Sequence, residues 1–159
     1  DGEHHFEFII GQTFFSSFGS DLLNKGRVKV NVVFTKKPTH FELGFKLTGT
    51  VDSVCDRCLV SYDQPIDTEE RIYIKLGDTH EELSDEIVVI PRSDFEIDAG
   101  QWVYEIIQTR IPMKKVACEI LKDSSICDEA VRDRMEDTQE EKDNPIWDAL
   151  KELNKEKLN

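Results

Sequence analysis

Three segments in the first half of the chain alternate apolar and polar residues with a period of two, a pattern that commits each to a strand with one buried face. Phe6, Phe8 and Ile10 share one face of the first segment. Val28, Val30, Val32 and Phe34 share a face of the second, with Arg27, Lys29 and Asn31 opposite. Phe41, Leu43, Phe45 and Leu47 repeat the pattern in the third, with Glu42, Gly44 and Lys46 opposite. Lys36-Lys37-Pro38-Thr39 carries turn chemistry and predicts the hairpin between the last two. Ile72, Ile74 and Leu76 predict a further strand, and Ile87 to Ile90 a short one. Phe14, Phe15, Phe18, Leu22 and Leu23 predict a short helix or packed loop ending near Gly26.

The period then changes to that of a helix. Ala99, Trp102, Val103, Ile106 and Ile107 fall on one stripe, Asp98 stands at the capping position, and Pro112 limits the segment. This predicts a core helix over 99–110 lying on the sheet. From 133 to 144 the chain is polar and highly charged, which reads as a linker. Asn144 and Pro145 then open a last helix with Ile146, Trp147, Leu150 and Leu153 as its stripe. The expected class is α+β: an antiparallel sheet or partly open barrel, one core helix packed on it, and a C-terminal helical tail. Two units are expected: a sheet domain over 1–127, and an acidic linker with the C-terminal helix over 128–159.

Charge narrows the function. The net charge of -13 excludes a nucleic-acid binder that relies on a global basic field, though not one with a local basic patch. The acidity is concentrated: residues 63–98 hold twelve acids against three bases, whereas 1–62 hold seven of each. Between Leu22 and Phe41 every charged residue is basic. No apolar run reaches 18 residues, and the opening Asp-Gly-Glu-His-His is not a basic-then-apolar signal, so the expectation is a soluble cytoplasmic chain with no membrane partner.

Four cysteines are too few for a disulfide scaffold, and the Cys55-Asp56-Arg57-Cys58 spacing fits free or metal-bound thiols in a reducing compartment. Two thiolates on a tight turn supply half of a tetrahedral zinc site, and Cys118 and Cys127 are the candidates for the other half. Their eight-residue spacer departs from a second Cys-x-x-Cys, so the reading preferred on sequence is four small buried hydrophobes with no cofactor, zinc being the alternative. Asp78 to Glu86 lacks the order of a calcium loop and reads as a solvated surface loop. None of His4, His5, His40 and His80 stands in a motif with a nucleophile, and the eight glycines form no phosphate loop. No catalytic residue and no small-molecule substrate are indicated.

The basic residues are the most suggestive polar feature. Arg27, Lys29 and Lys46 share the polar side of the hairpin, Lys36 and Lys37 crown its turn, Arg57 lies between the two cysteines, and Arg110, Lys114 and Lys115 end or follow the core helix. Together they could touch phosphates; the competing reading is an ordinary solvated face. Trp147 marks the last helix either as a partner-binding element or as a segment docking back on its own sheet.

At this point the chain resembles the bacterial YceD family. The resemblance is carried by His5-Phe6-Glu7-Phe8, by Phe14-Phe15 with Phe18, and by Gly49-Thr50-Val51 running into Cys55-Asp56-Arg57-Cys58-Leu59. Ile111-Pro112 before Lys114-Lys115-Val116, then Cys127, and finally Asn144-Pro145-Ile146-Trp147-Asp148-Ala149-Leu150 continue it. What the resemblance implies is a non-catalytic role in accumulation or assembly of the large ribosomal subunit, with ribosomal RNA or a basic large-subunit protein as partner. The alternative from another class is a small metal-binding domain with a redox or metal-dependent enzymatic role.

Overall fold

The computed structural model describes residues 2–19, 23–94, 96–131 and 133–134. The chain opens with β1 (Gly2–Ile10), α1 (Gln12–Ser17), β2 (Gly26–Lys36), β3 (Phe41–Val54) and β4 (Ser61–Gly77). It continues with β5 (Glu81–Ser84), β6 (Ile87–Pro91), α2 (Gly100–Arg110), α3 (Ala117–Ile120) and a 3-10 turn over Ser124–Ile126. The six strands form one sheet in the order β1-β2-β3-β4-β6-β5.

The alternation of the sequence sets the pairing. Val28, Val30 and Val32 stand opposite Gly49, Leu47 and Phe45, and Leu43 stands opposite Ile72, so one face of β2, β3 and β4 is apolar. Onto that face pack Phe15 of α1, Leu23, and Val103, Tyr104, Ile106 and Ile107 of α2, all buried. Asp98 Oδ1 accepts the Gly100 N–H at 2.8 Å, which satisfies one of the open donors at the start of α2. At Gly49 the hairpin strands pass too closely for any side chain: a Cβ there would lie 2.2 Å from the Arg27 carbonyl oxygen and 2.7 Å from Val28 Cα.

Three expectations are corrected. The sheet is mixed rather than wholly antiparallel, because β6 runs parallel to β4, with Tyr73 opposite Ile87 and Leu76 opposite Ile90. After Gly77 the chain skips one strand position, lays β5 at the edge, and returns as β6 in the gap; two reversals leave β6 aligned with β4. The acidic stretch read as a loop therefore contains an edge strand, β5, all four of whose residues are exposed. Among the described residues β1 pairs only with β2 and β5 only with β6, so the sheet is not closed.

The third correction concerns β1. Phe6 and Phe8 stand opposite Val32 and Val30, on the apolar side as their spacing predicts, yet they are 48% and 53% exposed. Alternation chooses a face, but the buried helix residues pack over the central strands while β1 is the edge. The two rings stack on each other with centroids 6.5 Å apart. Residues 135–159, including Trp147, lie outside the described residues.

Candidate functional site

Two groups of the sequence-selected residues come together in space, and they differ in kind. The first is the outer face of the sheet. Arg27 and Lys29 of β2 and Lys46 of β3 are exposed there, but carboxylates face the two lysines across the strands. Lys29 Nζ is 2.9 Å from Glu7 of β1, and Lys46 Nζ is 2.6 Å from Glu69 of β4. A concavity of about 780 Å³ on this face is lined by Lys37, Lys46 and Arg71 but also by Glu3, Glu42 and Glu69. The face is of mixed sign. Among the described residues, Arg27, Lys36 and Lys37 make no ion pair, while Arg110 pairs with Glu70 on the opposite side of the sheet.

The second group lies at the end of the sheet where β3 turns into β4. Cys55 follows directly on the last residue of β3, and its N–H donates to the Val60 carbonyl at 2.9 Å while its carbonyl accepts the Leu59 N–H at 3.0 Å. Leu59 closes this turn with φ at 59°, a left-handed conformation rare for a branched side chain. The segment after α2 folds back onto the turn. The Asp56 N–H donates to the Lys115 carbonyl at 2.7 Å, and the Lys115 N–H donates to Asp56 Oδ2 at 2.7 Å, a two-way clasp. Arg57 Nη2 lies 2.5 Å from Glu119 Oε1, and Lys114 Nζ lies 3.5 Å from the other oxygen of the same carboxylate.

This clasp delivers α3 and the 3-10 turn, and with them two more cysteines. The sulfurs of Cys55, Cys58 and Cys127 all lie within 4.8 Å of one another. Cys118 packs against the small cluster that includes Cys55 and Cys127. The Ala117 N–H donates to Cys55 Sγ at 3.5 Å, and Arg57 Nη1 donates to Cys118 Sγ at 3.6 Å. All four thiols are free; Cys55 and Cys127 are buried, and Cys58 and Cys118 are half-buried. Burial pushes the Cys55 thiol up, but N–H groups of Cys58, Ala117 and Arg57 and the Cys58 thiol more than offset it, bringing it from 9.0 to about 7. Cys127 goes the other way, to about 12, because the Cys118 side chain bonds its neutral form and burial adds to that.

The sequence named all four cysteines and Arg57, Lys114 and Lys115, but as two unrelated sets; the structure brings them into one cluster. It missed Asp56 and Glu119, which hold the cluster shut. Also missed was a groove of about 560 Å³ between α2 and the β4–β6–β5 edge, lined by Glu82, Asp85, Glu86, Glu105, Arg71 and the half-buried Trp102 among others. Its signal was present only as the acid-rich stretch 78–86. Trp147 lies outside the described residues.

Among the described residues no helix is long and apolar enough to cross a membrane. No curated protein and no solved structure matches the chain. A family model described as "Large ribosomal RNA subunit accumulation protein YceD" matches residues 43–154, from within β3 to beyond the last described residue, and so spans all four cysteines and α2. With more than half of its length matched, the chain belongs to the YceD family.

Proposed function

We propose that this protein is a non-catalytic factor that supports accumulation of the large ribosomal subunit by holding a basic segment of a ribosomal protein. Family membership supplies the ribosomal context. The observation that carries the choice of partner is the distribution of charge. On the sheet's outer face Lys29 and Lys46 are already engaged by Glu7 and Glu69, whereas the groove beside Trp102 sets five carboxylates, of which Glu70 is paired with Arg110, against Arg71. With a net charge of -13, the chain repels phosphate and attracts lysine- and arginine-rich polypeptide, a field that salt screens beyond a Debye length of ~8 Å. In this reading residues 1–127 form the body and 128–159 an acidic extension that widens the surface open to a basic partner.

The test is affinity capture from cell extract at low salt, with and without ribonuclease, followed by identification of what is retained. The expected result is retention of basic large-subunit proteins that survives ribonuclease and is weakened by Glu82→Lys with Glu105→Lys. Retention abolished by ribonuclease, and by Arg27→Glu with Lys46→Glu, would assign the contact to ribosomal RNA instead. Absence of every ribosomal component would overturn the reading altogether.

A further inference from the structure

We infer that β1 is the surface through which two copies of this chain pair, antiparallel about a two-fold axis at Phe6, joining their sheets edge to edge. An edge strand presents a row of unpaired N–H and C=O groups, and folded proteins blunt such edges with short strands, charge, proline or bulges. The two edges of this sheet differ in that respect. β5 has four residues, two of them glutamates, and its register with β6 shifts between Glu82 and Ser84. β1 has nine residues without proline or lysine, and it pairs with β2 in unbroken register from Gly2 to Ile10. Phe6, Phe8 and Ile9 stand 48%, 53% and 62% exposed along it, and among the described residues only β2 pairs with it.

The sequence of β1 fits its own copy. Side chains alternate, so a pairing that keeps both apolar faces on one side changes register only in steps of two residues. With Phe6 opposite Phe6 of the second copy, all nine residues pair: His5 faces Glu7, His4 faces Phe8, and Glu3 faces Ile9. One step in either direction leaves two residues of each copy unpaired. It also sets Glu7 against Glu7, or Glu3 against Glu7 twice, and like charges directly opposite are unfavourable. The centred register extends rows that already cross the sheet. His4 stands opposite Phe34 with ring centroids 6.2 Å apart, and Phe8 of the second copy would complete that row, while the two Phe6 rings would meet beside Val32.

Charge places the contact at this edge. A net charge of -13 opposes association of two copies, but residues 1–62 hold as many bases as acids. The strand order sets β1 and acidic β5 five spacings apart, ~24 Å, or about three Debye lengths. Four half-exposed rings at roughly 100 Å² each supply about 400 Å² of apolar area, with the paired backbones and Ile9 adding to it. Such a contact falls at the low end of specific interfaces, near ~1,200 Å² in total, so the dimer is weak and depends on concentration.

The experiment is sedimentation equilibrium of the full chain from low micromolar to several hundred micromolar. The expected result is a monomer–dimer equilibrium that Phe6→Lys, setting two ammonium groups face to face at the axis, weakens at least about tenfold. His5→Glu, setting a carboxylate against Glu7 of the second copy, should weaken it less, and Leu83→Lys on the other edge should leave it unchanged. Hydrogen exchange separates this from misfolding: β3 and β4 amides should be equally protected in parent and variants, whereas β1 amides should gain protection with concentration in the parent. A chain that stays monomeric throughout would overturn the inference, as would a dimer that Phe6→Lys leaves intact or that Leu83→Lys dissolves. So would β1 amides already fully protected at the lowest concentration, since another part of the chain would then cover the edge. Each failure leaves the ribosomal reading standing, because its groove lies by the opposite edge of the sheet.

Discussion

The two ends of the sheet are held by different physics. Under β2, β3, β4 and β6 the main core brings together Val30, Phe45, Leu47, Ile66 and Ile74 with side chains of α1 and α2, and every one of those five is at most 2% exposed. At the turn between β3 and β4 the second cluster is small, and what converges there is sulfur, a carboxylate–amide clasp and a guanidinium. Apolar area buried in bulk is non-directional, and it tolerates repacking. Directional ties fix a short segment with few residues, but each is indispensable. The same alternating strands run through both ends, so the difference lies in what each end has available to cover it.

The largest effect should come from the first end. Phe45→Ala removes a buried ring from the central strand β3, and is expected to cost about 3–5 kcal/mol in urea denaturation. If the main core governs the whole body, both ends should then unfold in one transition. A first transition confined to the cysteine end, already present in the parent protein, would show that the two regions are separate cooperative units.

A smaller change sharpens the contrast from the other side. Asp56→Ala removes the acceptor 2.7 Å from the Lys115 N–H, and should cost about 1–2 kcal/mol. The loss should appear locally, as faster hydrogen exchange at Glu119, Ile120 and Leu121, whose amides donate to Val116 and Ala117 carbonyls. Exchange at Val30 and Phe45 should not change. Equal loss at both places would mean that the clasp belongs to the main core after all.

The smallest effect lies on the solvated face between the two ends. The Lys46 hydrogen bond and charge hold the Glu69 carboxyl below its usual 4.5, and Glu69 in turn holds the Lys46 ammonium above its usual 10.5. The acid therefore contributes stability that is present above the unfolded value and lost as pH falls through the lowered one. The base contributes stability that is present below its unfolded value and lost as pH rises through the raised one. Both groups are solvent-exposed, so the Lys46→Met variant should track the parent closely, with a flat difference in denaturation midpoint near neutrality that closes at the acid and alkaline extremes. A difference that varies through neutrality would assign the pair a partner beyond each other.

Much of this was legible in the residues themselves. The apolar face of β2 and β3, the turn at Lys36-Lys37-Pro38-Thr39, and the place of Cys55 between two strands all follow from local spacing, because a strand's side chains alternate whatever lies next to it. The motif run from Gly49 to Cys58 pointed to the family that the matched model shows. What spacing cannot supply is a neighbour. Phe6 and Phe8 have the same pattern as Val30 and Val32 and are exposed, because cover depends on where the helices lie and not on the strand's own sequence.

The same limit decided the sites. Short stretches of residues settle which faces are apolar, where the chain turns, and which side chains can ligate a metal or meet a charge. Only the tertiary structure decided that β6 enters parallel to β4, and that Glu7 and Glu69 sit across from Lys29 and Lys46. It also decided that Cys127 meets Cys55 and Cys58 across most of the chain's length. Each of those is a contact between residues far apart in the chain, chosen by packing that minimises exposed apolar surface and unpaired charge over the whole body, and no local period encodes it.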